Sequence, residues 1–305
     1  MNKVKMEVDL GPLKLKNPVL TASGTFGYGT EVKKYMSPDR LGAITVKGLT
    51  VKPAAGNETP RIVETTGGLL NSIGLENPGL EEFEKKVIPE LARFETEVIV
   101  NISGHAVDDF ILLAERLAPY EQISGLEVNV SCPNIKGGGM AFGTDSELVY
   151  EITREVKNVY KGPVIVKLSP NVTDITAIAE AACQGGADCL SLINTLLGMA
   201  IDAKKRKPVL GNVMGGLSGP AVKPVALRMV YQTARVVEVP IIGMGGIMSG
   251  EDALEFMMAG ASAVAVGTAT LVEPAASVNI LEEMTEFCNQ NDITDIKNII
   301  GVAHQ

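Results

Sequence analysis

Eight short apolar runs, most of them separated by helical patterns, constrain the fold of this chain more than any other sequence feature. The β-branched runs lie at residues 18–22, 43–47, 98–102, 125–131, 163–168, 189–194, 240–244 and 263–267. Helical patterns lie at residues 106–117, 147–159, 173–184, 222–236 and 250–259. Strands that alternate with helices predict βαβ units and a parallel sheet. Eight such strands in 305 residues favour a closed (β/α)8 TIM barrel, and a doubly wound sheet is the alternative.

The sequence contains no linker or low-complexity segment, so residues 1–305 are predicted to form a single domain. Two connections, at residues 48–80 and 195–220, are unusually long for a compact domain. Loops of this length are usually functional or disordered. Because both follow predicted strands, we expect them at the C-terminal face of the barrel, where active sites form.

Composition excludes several classes of function. The net charge of −9 and the absence of Trp argue against a nucleic-acid-binding protein. The four cysteines form no CxxC pair and there are only two histidines, so no metal site is indicated. Cys183, Cys189 and Cys288 lie in apolar patterns and are predicted to be small buried residues. Because the start, MNKVKMEVDLGPL, has no apolar core of signal-peptide length and no apolar run reaches the length of a membrane span, a cytoplasmic protein is expected.

Polar residues or glycines end every predicted strand. In chain order they are Ser23, Lys47, Asn101, Asn129, Lys167, Asn194, Gly245-Gly246 and Gly267-Thr268. Side-chain alternation puts most of these on the inner face near the mouth of the barrel, and it puts Glu127 on the same face as Asn129. Strand ends are also simply where polarity begins. A buried lysine, however, needs an anion or a strong acceptor, so the series indicates a ligand site.

Two glycine turns follow the last two predicted strands, in GMGGI and VGTA. Loops after strands seven and eight of a barrel bind phosphate through backbone N–H groups, and glycine lets the backbone come close. The two turns together indicate a phosphorylated cofactor or substrate.

Several asparagines accompany these strand ends. Asn71 and Asn77 lie in NSIGLENP, and Asn134 follows the fourth strand. An amide offers a donor and an acceptor in one plane without a charge, which suits a planar ligand with amide-like edges. Turn and cap formation is the alternative, above all for Asn77.

Cys132 ends the fourth strand in LEVNVSCPNIKGGG. The glycines that follow would let this loop open and close as a lid. A thiol there could be a nucleophile, a general base or a structural residue. No histidine is evident near the strand ends, so a Cys–His nucleophile is not supported. An ordinary thiol pKa of about 8.5 is close enough to neutrality for proton abstraction.

The motifs as a set resemble the dihydroorotate dehydrogenase family. They are NPVLTASGTFGYG, ITVKGLT, NSIGLEN, EVNVSCPN, VKLSPN, INT, GGLSGPA, GMGGI and VGTA, in the family's order and along nearly the whole chain. The cysteine resembles class 1, whereas class 2 has serine there and an N-terminal extension. GGGMAFGTD, together with TASGTFGYG, is similar to the NAD-linked subtype, class 1B.

The resemblance implies roles for individual residues. Cys132 would take the proton from C5 of dihydroorotate, and a hydride would pass from C6 to N5 of FMN. FMN would be held by Ala22, Ser23, Lys47, Gly48, Asn101, Asn129, Lys167 and Ile193, with its phosphate at Gly219, Gly245, Gly246, Gly267 and Thr268. Orotate would be held by Lys47, Asn71, Ser72, Ile73, Gly74, Leu75, Asn129, Asn134, Asn194 and Thr195.

The resemblance also implies a partner. Class 1B enzymes have an electron-transfer subunit with FAD and a 2Fe–2S cluster, in a heterotetramer of two catalytic and two electron-transfer subunits. This chain has no iron–sulfur cysteine pattern, and GMGGI is not a dinucleotide-binding fingerprint. A partner would therefore have to carry electrons to NAD+.

Other functions remain compatible with the residues. One is a fumarate-linked class 1A enzyme. A second is a Schiff-base lyase on the same barrel, with Lys167 as the nucleophilic amine. A flavin-binding sensor without chemistry and another FMN-dependent reductase of pyrimidines complete the alternatives.

Overall fold

The computed structural model describes residues 4–131 and 142–304. Its strands are β1 (Val8–Leu10), β2 (Leu13–Leu15), β3 (Val19–Thr21), β4 (Ala43–Leu49), β5 (Ile62–Thr65), β6 (Gly68–Asn71), β7 (Glu97–Ile102), β8 (Gly125–Asn129), β9 (Val164–Lys167), β10 (Cys189–Leu192), β11 (Leu196–Met199), β12 (Ile201–Asp202), β13 (Lys207–Pro208), β14 (Met214–Ser218), β15 (Ile241–Met244) and β16 (Ala263–Val266). Its helices are α1 (Leu80–Glu82), α2 (Ile88–Leu91), α3 (Val107–Leu117), α4 (Ser146–Val159), α5 (Ile175–Gln184), α6 (Lys223–Thr233), α7 (Gly250–Met258), α8 (Thr268–Val272) and α9 (Ala276–Gln290).

Eight parallel strands close into a barrel in the order β3, β4, β7, β8, β9, β10, β15 and β16. The pairing of β16 with β3 closes the barrel. These two strands are parallel, with Val264 opposite Val19 and Val266 opposite Thr21. The predicted (β/α)8 barrel is therefore confirmed, and the doubly wound alternative, whose sheet would be open, is wrong. The strands are buried along their length because helices cover the outside.

Each of the eight apolar runs overlaps one barrel strand, and each predicted helix overlaps α3, α4, α5, α6 or α7. The sequence pattern indicates a helix after the connection at residues 48–80 but no bounds for it, and the structure has there a helical segment from α1 to α2 with a π-helical stretch, Phe83–Val87, in its middle. A π turn shifts the helical period, so the apolar spacing there does not match a regular helix. The helix expected after the last glycine turn is α8, whereas the C-terminal helix α9 was not predicted.

The two long connections are ordered and pair with each other. Strands β5 and β6 come from the first connection, β11 and β14 come from the second, and they form one antiparallel sheet in the order β11, β14, β6, β5. A Cβ on Gly68 would lie 1.9 Å from the carbonyl oxygen of Ser218, so the contact requires glycine. Because β11 follows β10 directly, this sheet lies at the C-terminal face of the barrel.

The hairpin of β1 and β2 covers the opposite end of the barrel. Leu10 and Leu15 are almost completely buried. A Cβ on Gly11 would lie 2.9 Å from the carbonyl oxygen of Asp188, which directly precedes β10. The N-terminal end is therefore sealed by apolar side chains, and the polar interior is reached from the C-terminal face. Within residues 4–131 and 142–304, no helix is long and apolar enough to cross a membrane.

Replacing Leu15 by alanine tests this seal. Leu15 is 1% exposed, so we expect Leu15→Ala to lower the free energy of unfolding by about 2–5 kcal/mol through lost burial and a cavity. Urea denaturation followed by circular dichroism measures the loss. Lys14→Ala is the matched control, because the neighbouring side chain is exposed and its removal should change stability by no more than about 0.5 kcal/mol. Equal losses for the two variants would contradict the sealing role.

Candidate functional site

A layer of polar side chains lies inside the barrel just below its C-terminal mouth. Asn101, Glu127, Asn129 and Lys167 are all buried, with at most 7% of any of them exposed. The strand register sets Asn101 beside Glu127 and Asn129 beside Lys167. The predicted inner face at these strand ends is therefore polar, in a core that is mostly apolar.

Glu127 is the centre of this layer. Its Oε2 accepts a hydrogen bond from Asn101 Nδ2 at 2.6 Å and lies 3.6 Å from Lys167 Nζ. Its Oε1 accepts a hydrogen bond from Ser191 Oγ at 2.8 Å. Sequence reasoning assigned no role to Glu127 or Ser191. The signal available was a carboxylate in the middle of an apolar strand, where only a paired charge is tolerated.

Two polar groups of the layer keep unused hydrogen-bonding capacity among the described residues. Asn101 Oδ1 is buried without a hydrogen bond, and a Cβ on Gly48 would lie only 2.9 Å from it. The Lys167 ammonium makes the ion pair with Glu127, but no residue within residues 4–131 and 142–304 accepts a hydrogen bond from it. Since buried polar groups are nearly always satisfied, a donor and an acceptor remain for a bound molecule.

Lys47 lies on the neighbouring strand β4 and is half-buried. Its backbone N–H donates to the carbonyl of Gly27 at 3.0 Å. No described residue offers its ammonium group a hydrogen bond or an ion pair. The charge is therefore available to an anionic ligand, as the sequence predicted.

Four residues predicted to hold the substrate lie in one contact chain. Asn71 Nδ2 donates to the carbonyl of Gly216 at 3.4 Å, and a Cβ on Gly216 would meet Thr195 Oγ1 at 2.0 Å. The Thr195 backbone N–H donates to Asn194 Oδ1 at 2.7 Å, and Asn194 Nδ2 donates to Asn129 Oδ1 at 3.4 Å. The sheet formed by the long connections thus brings Asn71 to the barrel mouth.

Hydrogen bonds with Asn57 and Arg61 support the loop after β6. Asn57 Nδ2 donates to Ser72 Oγ at 3.0 Å, the Asn57 backbone N–H donates to the Ile73 carbonyl, and the Ser72 N–H donates to the Arg61 carbonyl. Gly74 has a φ of +76° and leaves no room for a Cβ beside Asn57. Sequence reasoning missed Asn57 and Arg61, which face the loop and carry no motif of their own.

Leu75 and Asn77 continue this loop. Leu75 Cδ2 would lie 3.2 Å from a Cβ on Gly48, so the leucine packs beside the polar layer. Asn77 Oδ1 accepts from the N–H groups of Thr50 and Gly79, and its Nδ2 donates to Thr50 Oγ1. All of its hydrogen-bonding groups therefore stabilise the turn, which is the alternative that the sequence left open for Asn77.

Glycine turns and a threonine form the side of the mouth next to β15 and β16. Gly219, Gly245 and Gly246 have φ values of +96°, +123° and +82°, which favour glycine. A Cβ on Gly246 would lie 2.9 Å from the Gly219 carbonyl oxygen, and one on Gly219 would lie 3.6 Å from Thr268 Cγ2. Thr268 Oγ1 donates to Ser218 Oγ at 2.8 Å. The structure thus brings these predicted phosphate residues together, and it adds Ser218.

The remaining predicted cofactor residues border these turns. Ala22 donates its N–H to the last residue of β16 at 2.8 Å, and its Cβ would lie 3.4 Å from a Cβ on Gly267. Ser23 follows it and is half-buried. Ile193 Cγ1 would lie 3.3 Å from a Cβ on Gly245. The first and last barrel strands therefore contribute to the same side of the mouth.

These residues fit FMN by the chemistry of their groups. The glycine turns leave backbone N–H groups without side chains in front of them, which suits a phosphate. The unpartnered Asn101 Oδ1 and the Lys167 ammonium offer an acceptor and a donor for a ring with imide edges. Within the described residues, no group of three or more His, Cys, Asp and Glu could hold a metal ion.

Cys132 and Asn134 lie outside the described residues. Burial raises the pKa of the Cys189 thiol well above its ordinary value and, with Glu180 nearby, raises that of Cys183 to about 11. Burial also raises the pKa of Cys288. These three thiols stay protonated near neutral pH. Cys189 and Cys288 are buried as predicted. Cys183 is only half-buried, and it is the penultimate residue of α5.

His105 corrects the expectation that no histidine lies near a strand end. It comes three residues after β7, at the same face of the barrel. Its side chain is exposed, and its backbone N–H donates to Asp109 Oδ2 at 2.7 Å. It begins the turn into α3 and has no contact with the buried polar layer in the described structure.

Comparison with known proteins agrees with this architecture. The family model described as dihydroorotate dehydrogenase matches residues 5–288. Relatives named dihydroorotate dehydrogenase B (NAD(+)), catalytic subunit, from Alkaliphilus metalliredigens and Geobacter metallireducens are 57% and 56% identical, each over 99% of both chains. A crystal structure of DHODH in complex with ferulenol from Eimeria tenella has a TM-score of 0.83 and covers 99% of this chain and 89% of its own. At 24% identity it shows the shared fold alone. The chain belongs to the dihydroorotate dehydrogenase family.

Proposed function

We propose that this protein oxidises (S)-dihydroorotate to orotate in pyrimidine (UMP) biosynthesis, as the catalytic subunit of an NAD+-linked enzyme. The observation that carries the proposal is the buried layer of amides and one ammonium group beside the glycine turns, in a chain of this family. Two relatives whose names specify NAD+ share more than half of its residues, which favours NAD+ over fumarate as the final acceptor.

The substrate would bind at the contact chain that ends in Asn129 and Asn194. Orotate is a planar ring with imide edges and one carboxylate, so amide side chains match its donors and acceptors. Asn71 and Thr195 lie in the same chain of contacts. The unpaired ammonium of Lys47 would neutralise the carboxylate.

FMN would bind between the polar layer and the glycine turns. When bound, it supplies the acceptor for the hydride from C6 of the substrate. Lys167 and Asn101 would hold its ring, and Gly245, Gly246 and Thr268 would hold its phosphate. Lys167 is buried against Glu127 at 3.6 Å, an arrangement that suits a fixed cation better than the freely attacking amine of a Schiff-base lyase.

Cys132 would act as the general base that removes the proton from C5. The support for this assignment is the motif EVNVSCPN, which resembles the segment that carries the cysteine base in class 1 enzymes of the family. In the sequence, Cys132 follows the last residue of β8 by three positions.

The partner would be an electron-transfer subunit with FAD and a 2Fe–2S cluster, in a heterotetramer of two catalytic and two electron-transfer subunits. This chain offers no cysteine pattern for such a cluster. We further propose that residues 1–305 form one domain, since both long connections pair over the same barrel, and that the enzyme works in the cytoplasm, where free thiols persist.

The first prediction from the proposed function concerns the first half of the reaction. The purified chain should show a flavin absorption band that bleaches when dihydroorotate is added without oxygen. Cys132→Ala should still bind dihydroorotate, but its flavin should be reduced about 10²–10⁴ times more slowly, because positioned proton transfer contributes this much. Stopped-flow absorbance measures the rate.

Cys183→Ala is the matched control, because it removes a thiol outside the proposed site and should leave the rate unchanged. A wild-type band that persists with dihydroorotate would remove the proposed substrate. Normal reduction of Cys132→Ala would remove only the assignment of the base.

A second prediction concerns the glycine turn after β15. Gly245→Ala should weaken FMN binding at least tenfold, because its Cβ would lie 2.9 Å from Ala226 Cβ and 3.3 Å from Ile193, so the turn must shift. Gly186→Ala is the control. Gly186 has a similar φ of +96°, but the nearest atom to its new Cβ is 3.5 Å away. Both variants carry left-handed strain of about 1–2 kcal/mol.

FMN fluorescence during titration of the apo chain measures the affinity. Gly186→Ala should bind FMN as the wild type does, although both variants lose stability. Equal FMN affinity for Gly245→Ala and the wild type would show that this turn does not hold the cofactor.

A third prediction concerns the electron acceptor. The isolated chain should reduce NAD+ very slowly with dihydroorotate, and the complex with its electron-transfer subunit should do so rapidly. Absorbance of NADH measures both rates. Rapid NADH formation by the isolated chain would remove the need for a partner, and efficient turnover with fumarate would assign the chain to class 1A.

A further inference from the structure

We propose that Glu127 is a positioning residue of the cofactor site, which fixes the Lys167 ammonium and the Asn101 amide and offsets the charge of Lys167. The inference rests on the proposed function only in requiring bound FMN. It assigns a role to Glu127, which has none in the proposed function. It also explains why a carboxylate is buried inside the barrel.

One carboxylate joins four consecutive barrel strands. Glu127 belongs to β8, and its oxygens contact Asn101 on β7, Lys167 on β9 and Ser191 on β10. Three polar contacts at 2.6, 2.8 and 3.6 Å leave the carboxylate a single orientation. The side chains it contacts are thereby fixed relative to one another across half of the barrel.

The hydrogen bond to Glu127 sets which way the Asn101 amide faces. Because Nδ2 donates to the carboxylate, Oδ1 must face the opposite way, towards Gly48, where it is buried without a described partner. An amide that lacked this anchor could rotate and present a donor instead. Glu127 therefore selects an acceptor at this position, which suits an N–H group of a bound ring.

The ion pair sets the charge of the site. The Lys167 and Glu127 side chains are 6% and 3% exposed, so an unpaired charge on either would be strongly unfavourable. The ammonium has no hydrogen-bond acceptor within the described residues. The carboxylate thus holds Lys167 in the interior, and the donors that Lys167 does not use are free for the cofactor.

This charge balance has a consequence for electron transfer. FMN, when bound, would supply an acceptor for two electrons and one proton, which would add one negative charge to the site. A lone lysine beside it would favour the reduced ring strongly, since charges interact strongly where water is excluded. Glu127 would oppose this effect by balancing the charge of Lys167, so that electron transfer to the next acceptor would stay favourable.

Glu127→Gln tests the inference. Glutamine has nearly the same shape, can accept from Asn101 and can donate to Ser191 Oγ, but it removes the negative charge. We expect the equilibrium constant for flavin reduction to rise about tenfold, which is about 30 mV for a two-electron couple. Reductive titration of the FMN-loaded chain against a redox dye measures the shift without dihydroorotate.

Ser191→Ala is the matched control. It removes a hydrogen bond to the same carboxylate and keeps the charge, so its potential should shift much less than that of Glu127→Gln. An unchanged potential in Glu127→Gln, or an equal shift in Ser191→Ala, would overturn the proposal. Since the titration uses a dye, a failure of dihydroorotate to reduce the wild type would count against the proposed substrate alone.

A second measurement applies if Glu127→Gln does not fold. Glu127→Gln combined with Lys167→Gln removes both charges, and cooperative thermal unfolding should return because no unpaired cation remains in the core. A double variant that also fails to fold would overturn the pairing.

Discussion

Pairing between the last and first barrel strands is the constraint on which the rest of this structure depends. Three residue pairs join β16 to β3, and this closure turns eight separate strand ends into one rim. Ala22, which follows the first strand, thereby meets Gly267, which follows the last. Without closure, Ala22 and Ser23, which follow β3, would lie at the opposite edge of an open sheet from Gly267 and Thr268, which follow β16.

The polar layer is a local exception to the packing that holds the barrel together. Below it, the interior is mostly apolar and is sealed by the hairpin of β1 and β2. Within it, one carboxylate satisfies groups from three neighbouring strands, while Asn101 Oδ1 and the Lys167 ammonium keep unused hydrogen-bonding capacity. Buried polar groups of this kind weaken a fold unless something binds them. The polar layer is therefore more stable with a ligand bound than in the empty barrel.

The strand ends and glycine turns could be predicted from sequence because each signal is local. A lysine that ends an apolar strand, or a Gly-Gly pair after one, is visible within five residues. Two contacts could not be predicted in this way: the ion pair of Glu127 with Lys167, and the hydrogen bond from Asn57 to Ser72. Each joins residues that become neighbours only through the barrel register or through the conformation of a loop. The sheet of β5, β6, β11 and β14 escaped prediction for the same reason: its strands are short, and two of them pair across about half of the chain.

That sheet also determines when the site can exist during folding. Gly68 meets Ser218, and Thr268 meets Ser218 in turn, so the ligand-facing surface is assembled from segments 200 residues apart in the sequence. Contacts of such long range form late, after the entropy of closing large loops has been overcome. On the ribosome, almost the entire chain must emerge before a cofactor has anything to bind. Cofactor loading is then a final step that stabilises the finished barrel by mass action, and cofactor supply becomes a control on how much of the folded protein persists.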